Sequence, residues 1–263
     1  MKQQHPEETI DQGRRAWFGL AAGVTAAVAA PGVVLHLADA APAVGTEGVP
    51  VTAAARWGLL IDTNKCLEGC RDCVDACARE NGLDRQTKPA AQSSAAWADQ
   101  RAVWLRKAKL ADNLTGRVTN LPLMCQHCEH PPCVDVCPTG ASFKRADGIV
   151  VVDRHVCIGC RYCMMACPYQ ARSFIHEAVH DQLTGVPRGK GCVESCNLCV
   201  SRRDHGLAST ACVDACTAAG HGAIVFGDMK DPASPISLAL KAMSSRQLRE
   251  DLALNTGVRY AGL

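Results

Sequence analysis

Apolar residues in this chain come in short stretches separated by long polar and turn-forming segments. Trp57-Gly-Leu-Leu-Ile-Asp62 is nearly continuous and predicts a short strand. Val103, Leu105 and Lys107 mark alternate positions of a second strand. Asp112-Asn-Leu-Thr-Gly116 then supplies turn chemistry, and Val118 to Leu123 completes a β-hairpin. Ser142 to Arg145 and Ile149 to Asp153 flank Ala146-Asp147-Gly148, and Asp-Gly between alternating apolar residues is a strong hairpin signal. His221 to Phe226 reads as a closing strand. Ser234 before Pro235 supplies an N-cap and first helical position for a short helix reaching about Ser244. Asp84 to Asp99 is polar and small, which predicts an exposed insertion, and residues 176–191 are also polar. The tail from Arg246 to Leu263 is too mixed to assign an element and is expected to lie across the domain. The pattern predicts a loop-rich α+β fold of short hairpins and helices.

Composition changes that picture. Only 4% of the 263 residues are aromatic, whereas 17 are cysteine. A chain so poor in large side chains and so rich in thiols is expected to be held by metal as much as by a hydrophobic core. The formal charge of +2 shows no nucleic-acid footprint. The clearest chemical signal is Cys157-Ile-Gly-Cys160-Arg-Tyr-Cys163-Met-Met-Ala-Cys167-Pro168, the C-x2-C-x2-C-x3-C-P run of bacterial ferredoxins. In such a run three thiolates hold one iron–sulfur cubane and the fourth reaches a second. Gly159 is expected to let the backbone approach the inorganic core, and Pro168 to stop the turn.

Three further cysteine groups accompany it. The first is Cys66-Leu-Glu-Gly-Cys70-Arg-Asp-Cys73-Val-Asp-Ala-Cys77. Its opening gap has one residue more than the standard run, which leaves ligation by Cys66 open, since an extra residue can bulge outward. The second is Cys125-Gln-His-Cys128-Glu-His-Pro-Pro-Cys133-Val-Asp-Val-Cys137-Pro138, with Pro131-Pro132 stiffening its loop. The last is Cys192-Val-Glu-Ser-Cys196-Asn-Leu-Cys199 followed after twelve residues by Cys212-Val-Asp-Ala-Cys216, with Thr217 where a proline is expected. Its spacing makes Cys196, Cys199, Cys212 and Cys216 the ligands and leaves Cys192 over. Sixteen ligands and one spare thiol fit four [4Fe-4S] clusters. Each oxidised cubane with four thiolates carries on the order of −2, which would take the chain from +2 to roughly −6. Arg145, Arg154, Arg161, Arg172, Arg202 and Arg203 then serve either as partial compensation or as solubilising surface charge.

Two rival uses of the thiols stand against this. Disulfides fit an exported protein, but the thiol count is odd and closely spaced C-x2-C pairs strain such a bond. Structural zinc uses paired C-x2-C units, yet does not account for three-plus-one runs ending in Cys-Pro. His127 and His130 sit between ligands and read as ordinary polar loop residues, with hydrogen bonding to a cluster as the alternative. His155, His176 and His221 carry no signal. Met164-Met165 reads as core packing. Neither a Gly-rich nucleotide fingerprint nor a nucleophile–base arrangement is legible, so no catalytic residue is assigned.

The N-terminal 43 residues are not part of the fold. Arg14-Arg15 precede Ala16-Trp17-Phe18-Gly19-Leu20 and an uncharged, alanine-rich stretch to Leu37, followed by small-residue sites at Ala38-Asp39-Ala40 and Ala41-Pro42-Ala43. This resembles a twin-arginine export signal. A membrane anchor is the alternative, weakened by low hydrophobicity and the Pro31-Gly32 break. Twin-arginine export moves folded proteins, which suits one that takes up metal before leaving the cytoplasm. Residues 44–58 read as a linker.

Three segments carry a family resemblance: Met124-Cys-Gln-His-Cys-Glu-His-Pro-Pro-Cys-Val-Asp-Val-Cys-Pro-Thr-Gly-Ala141, the stretch from Asp147-Gly-Ile-Val150 to Arg172-Ser-Phe174, and Phe226-Gly-Asp-Met-Lys-Asp-Pro232. From about Trp57 to Phe226 the chain resembles the four-cluster iron–sulfur subunits that accompany molybdopterin oxidoreductases and polysulfide-reductase-type membrane proteins. Within that family it is most similar to the periplasmic subunits of membrane complexes tied to dissimilatory sulfite reductase, with nitrite-reduction and hydrogenase subunits as rivals. The resemblance implies a pseudo-twofold pair of ferredoxin-like units. Residues 59–124 and 176–230 would form the halves of one unit and 125–175 the other, with 231–263 as a C-terminal helix and tail. It also implies ligand sets: Cys66, Cys70, Cys73 and Cys216; Cys77, Cys196, Cys199 and Cys212; Cys125, Cys128, Cys133 and Cys167; Cys137, Cys157, Cys160 and Cys163. The implied role is a non-catalytic electron carrier in sulfur metabolism, in the periplasm. Its implied partners are a membrane quinone-interacting subunit and a periplasmic cytochrome or other redox subunit, with membrane association through the partner.

Overall fold

The structure, a computed structural model, describes residues 51–263. The expected signal region and residues 44–50 of the expected linker lie outside the described residues.

Strand β1 (Trp57–Asp62) forms where the chain is apolar on consecutive positions, and its middle four residues are buried. A strand buried on both faces belongs at the centre of a sheet. Antiparallel β8 (Ile224–Asp228) lies on one side, pairing Ile61 with Ile224 and Trp57 with Asp228. On the other side β10 (Val258–Ala261) runs parallel, pairing Leu59 with Val258 and Asp62 with Ala261, and β9 (Ser245–Arg246) completes the order β8-β1-β10-β9. Side chains alternate across a strand, so one sheet serves two cores. Leu59 and Ile61 join the large core containing Trp104, Leu121, Tyr260 and most of the cysteines. Leu60 faces the other way, onto a small core with Ile236 and Ala261.

That second face is covered by α7 (Pro235–Ala242). Ser234 Oγ accepts from Ser237 N at 3.3 Å and Pro235 takes the first turn, as the sequence predicts. The closing strand starts three residues later than expected, at Ile224, because His221 and Gly222 turn back onto the Cys216 carbonyl. The tail differs more. It supplies a strand inside the main sheet rather than lying across it, with Val258, Tyr260 and Ala261 buried.

Both expected hairpins form. β2 (Leu105–Ala111) and β3 (Val118–Met124) pair in register from Leu105↔Met124 to Ala111↔Val118. Asp112 organises their turn, accepting from Leu114 N at 2.8 Å and from Thr115 Oγ1 at 2.7 Å. β4 (Ser142–Lys144) and β5 (Val150–Val152) close around Gly148, whose φ of 84° suits only glycine comfortably. β6 (Arg172–Phe174) pairs with β7 (Val193–Ser195). The insertion is exposed or half-buried as expected but contains a helix, α2 (Ser94–Gln100), capped by Ser93. The short cysteine-bearing helices pack in pairs. α1 (Asp72–Glu80) lies on α6 (Ala211–Ala218), and α3 (Pro132–Asp135) on α4 (Tyr162–Met165). Met164 packs against the core, but Met165 is 74% exposed, so the core expectation fails there. The two residues are adjacent on a helix of little more than one turn and cannot face the same way. The result is the loop-rich α+β fold that the pattern predicts.

Candidate metal centres

Most of the cysteines sit in loops, and Cys73, Cys133, Cys163 and Cys212 sit in first helical turns, where backbone N–H groups lie free, while Cys77 and Cys216 lie a turn further along their helices. All 17 are free thiols. Cys66, Cys70, Cys73 and Cys216 line a common pocket, with Lys107 and Pro122 on its wall. The extra residue of the first group is absorbed at Gly69, with φ 77°, and Cys66 still turns inward. Lys107 Nζ donates to Cys66 Sγ at 2.5 Å. Across the α1–α6 pair, Cys77 lies beside Cys212 and Cys199, and Cys196 beside Cys77 and Cys212.

In the other half, Cys125 and Cys128 each lie beside Cys133 and Cys167. Cys137, Cys157, Cys160 and Cys163 line a second pocket, with Ser142 and Val193. The cysteines of each expected set are thus brought together, and α4 ends at Met165, so Cys167 falls past it and faces away from Cys163's set. Cys192 belongs to none of the expected sets but lies against the fourth at Cys157, and donates to the Arg154 carbonyl at 3.3 Å. Gly159 answers to a tighter constraint than the one expected. With φ 72°, a Cβ there would collide with the Gly191 carbonyl and press on Phe174, so the loop is packed against neighbouring protein.

Burial pushes the thiols of Cys73, Cys125, Cys128 and Cys212 up to about 12. Cys137 goes the other way: burial opposes ionisation, but donation from Ser142 N at 3.3 Å and from Thr139 lowers it overall. Ala223 N donates to Cys216 at 3.3 Å, and Arg172 Nη2 to Cys133 at 3.0 Å. Donors of this kind favour thiolate over thiol.

Two readings of polar residues need correction. His127 is no ordinary loop residue, being 1% exposed, whereas His130 is exposed. The His127 Nδ1 accepts from Val150 N at 3.0 Å, which places its proton on Nε2, a buried atom without a partner. Burial and then the nearby Arg172 charge push its pKa down to about 3, so it is neutral. Solubilising charge is likewise the wrong account of most of the arginines. Arg172 and Arg203 are buried, and Arg203 stacks on Trp57 at 3.7 Å. Arg145 pairs with Asp147 and Asp204, and Arg202 with Glu80 and Asp214. Arg161 is exposed and lies over Phe174 at 3.9 Å.

Sequence reasoning passed over two supports. Glu194, 1% exposed, pairs with Arg188 at 2.9 Å and accepts from Trp104 Nε1 at 3.1 Å, fixing the strand between Cys192 and Cys196. Tyr260 OH donates to the Pro122 carbonyl at 3.1 Å and accepts from Gln126 Nε2 at 3.1 Å, gripping the loop between Cys125 and Cys128. Only their position between cysteines or in the tail marks them in the sequence, and neither carries a motif.

The donor sets are thiols alone, the preference of iron–sulfur clusters, zinc and other soft centres. The buried N–H groups at His127 Nε2 and at Arg172 Nε and Nη1 find no acceptor among the described residues, and the arginine's charge favours an anionic one. Among the described residues, Cys70, Asp72 and His221 also bring three ligand atoms within 4.8 Å. That group is accounted for by Cys70 donating to Asp72 at 3.2 Å and a His221–Asp72 contact at 3.4 Å. Residues that converge thiols on protein-lined cavities and aim surplus N–H groups inward fit inorganic cubanes, and with this fold they define a ferredoxin-type iron–sulfur protein.

Comparison with known proteins agrees. Residues 117–229 match the 4Fe-4S dicluster domain family. The chain is 39% identical over 234 residues to the Hdr-like menaquinol oxidoreductase iron-sulfur subunit 1 of Archaeoglobus fulgidus, covering 79% of this chain and 84% of that protein. The B component of the tetrathionate reductase of Salmonella typhimurium is 36% identical over 212 residues, covering 79% and 73%. The B component of the polysulfide reductase of Wolinella succinogenes is 34% identical over 199 residues, covering 76% and 90%. This protein belongs to the ferredoxin-type iron–sulfur subunits of membrane oxidoreductase complexes.

Proposed function

We propose that this chain is a non-catalytic electron-transfer subunit carrying four [4Fe-4S] clusters, which relays electrons between a membrane quinone-interacting subunit and a periplasmic redox partner in sulfur metabolism. The observation that carries the reading is the gathering of sixteen thiols into four groups of four, with Cys192 left over. The ligand sets are those given above, arranged in two ferredoxin-like units with residues 125–175 as one and 59–124 with 176–230 as the other. When bound, such clusters supply single-electron storage. The protein's own part is to hold them among its converging thiols, supply thiolates and N–H donors, and offer partners its exposed faces. Similarity to a menaquinol oxidoreductase subunit and to a polysulfide reductase component supports the quinone-linked, sulfur-related setting. Arg14-Arg15 and the small-residue sites before residue 44 support twin-arginine export. Among the described residues no helix is long and apolar enough to cross a membrane, which is consistent with attachment through a partner.

A second reading makes the chain the electron-input subunit of a molybdopterin reductase, or of a nitrite-reduction or hydrogenase complex. Its support is the similarity to the tetrathionate reductase component and to the protein NrfC of Escherichia coli, 35% identical over 206 residues. Purifying the tagged chain from membranes separates the two. The first reading expects an integral membrane subunit and a periplasmic cytochrome to accompany it, with the clusters reduced by a menaquinol analogue. A large pterin-containing chain in place of the cytochrome would favour the second. A protein found only in the cytoplasmic fraction, alone, would contradict both.

A further inference from the structure

Arg172 opens β6 and is 5% exposed. A guanidinium cannot shed its charge, and burying one is costly unless it is paired. Among the described residues no carboxylate pairs with Arg172. Its Nη2 donates to Cys133 Sγ at 3.0 Å and to Ser142 Oγ at 2.7 Å. The thiols of Cys125 and Cys163 also face it. Among the described residues its Nε and Nη1, both buried, have no acceptor in hydrogen-bond geometry. These thiols come from two different expected ligand sets: Cys125 and Cys133 from the third, and Cys163 from the fourth. A cation left without an anion, between thiols of two sets, is stable only once those sets turn anionic.

We propose that Arg172 is the shared counter-charge of the third and fourth clusters, a positioning residue that donates hydrogen bonds toward both and so raises the reduction potential of both. The inference rests on the four-cluster reading. Reduction adds negative charge to a cluster, and a nearby guanidinium stabilises that extra charge. The first set has only the half-buried Lys107 in a comparable place, on one cluster's ligand.

The test is a potentiometric titration of the full-length holoprotein followed by electron paramagnetic resonance, comparing wild type with Arg172→Met and Arg172→Lys. In Arg172→Met, two of the four centres should become about tenfold harder to reduce, ~59 mV for one electron. The other two should stay in place, and the lysine variant should recover part of the shift. No shift, a shift of one centre, or an equal shift of all four would overturn the inference. Should the methionine variant lose iron, the wild type grown with ¹⁵N-arginine still decides. Pulsed resonance should detect ¹⁵N coupling at two distinct reduced centres that is absent from both when Arg172→Lys is grown with the same label, and coupling that persists in the lysine variant, or is lost at one centre or none, would sink the idea. Iron analysis of the same wild-type sample separates the two claims. Fewer than four clusters defeats the reading underneath, whereas four clusters without arginine coupling defeats this inference alone.

Discussion

Cys73, Cys125, Cys128 and Cys212 keep their protons up to about 12 while no metal is bound, because burial penalises the thiolate. Metal needs the thiolate, so loading must expel those protons. The sign is definite. With pKa values raised above the unfolded thiol's, the metal-free fold gains stability that is fully present below about pH 8.5 and is lost as pH climbs toward 12. Cluster binding gains over the same range. Assembly in weak buffer should therefore release about one proton per ligating thiol, read with a pH indicator, and should strengthen as pH rises from 7 to 9. Release near zero would mean the thiols were already ionised. Cys192 makes a second residue-scale prediction. It already donates to Arg154 O and stands outside the four sets, so Cys192→Ser should leave the iron content unchanged. Cys66→Ser, by contrast, should lower it or convert one centre. The cysteine runs are legible in the spacing, because most thiols of a run come from neighbouring residues; the distant cysteine that would complete each set is implied only by the family resemblance. The burial of His127 and Arg172, which decides between the two readings open for each, is not legible, since it comes from the elements packed over them.

At the scale of elements, the hairpins and α7 announce themselves through local rules: Asp112 and Gly116, Asp147-Gly148, Ser234-Pro235. Strand β10 does not. Its long-range neighbour in the sheet is Leu59 to Asp62, some two hundred residues away, with β9 on its other side, and a short mixed segment acquires strand character from those pairings. Its functional weight is nevertheless considerable. Gly257 N donates to Gln126 O at 2.8 Å and Glu129 N to Leu254 O at 3.0 Å, so the tail clamps the second cysteine group from outside. Tyr260→Phe removes a buried hydroxyl that serves both Pro122 and Gln126. Stranding those partners should cost about 1–3 kcal/mol. The measurement is the denaturant midpoint for loss of cluster absorbance in the holoprotein, and an unchanged midpoint would show that the clamp is idle.

For the whole molecule, a sparse aromatic complement and one mixed sheet provide a modest core, and much of that core is cysteine. Such a fold is completed by what the thiols hold. The sequence exposes this through counting alone, because seventeen cysteines in ferredoxin-like runs admit few other uses. It does not expose the two-faced sheet, with Leu59 and Ile61 toward the thiol-bearing core and Leu60 toward α7, since that depends on which strands pair. The central claim, that sixteen thiolates suspend four cubanes, meets its most direct test in the iron and acid-labile sulfide content of anaerobically purified protein. The account predicts about sixteen of each per chain, with a broad visible absorbance that bleaches on reduction by dithionite. A colourless protein holding stoichiometric zinc and little sulfide would contradict it.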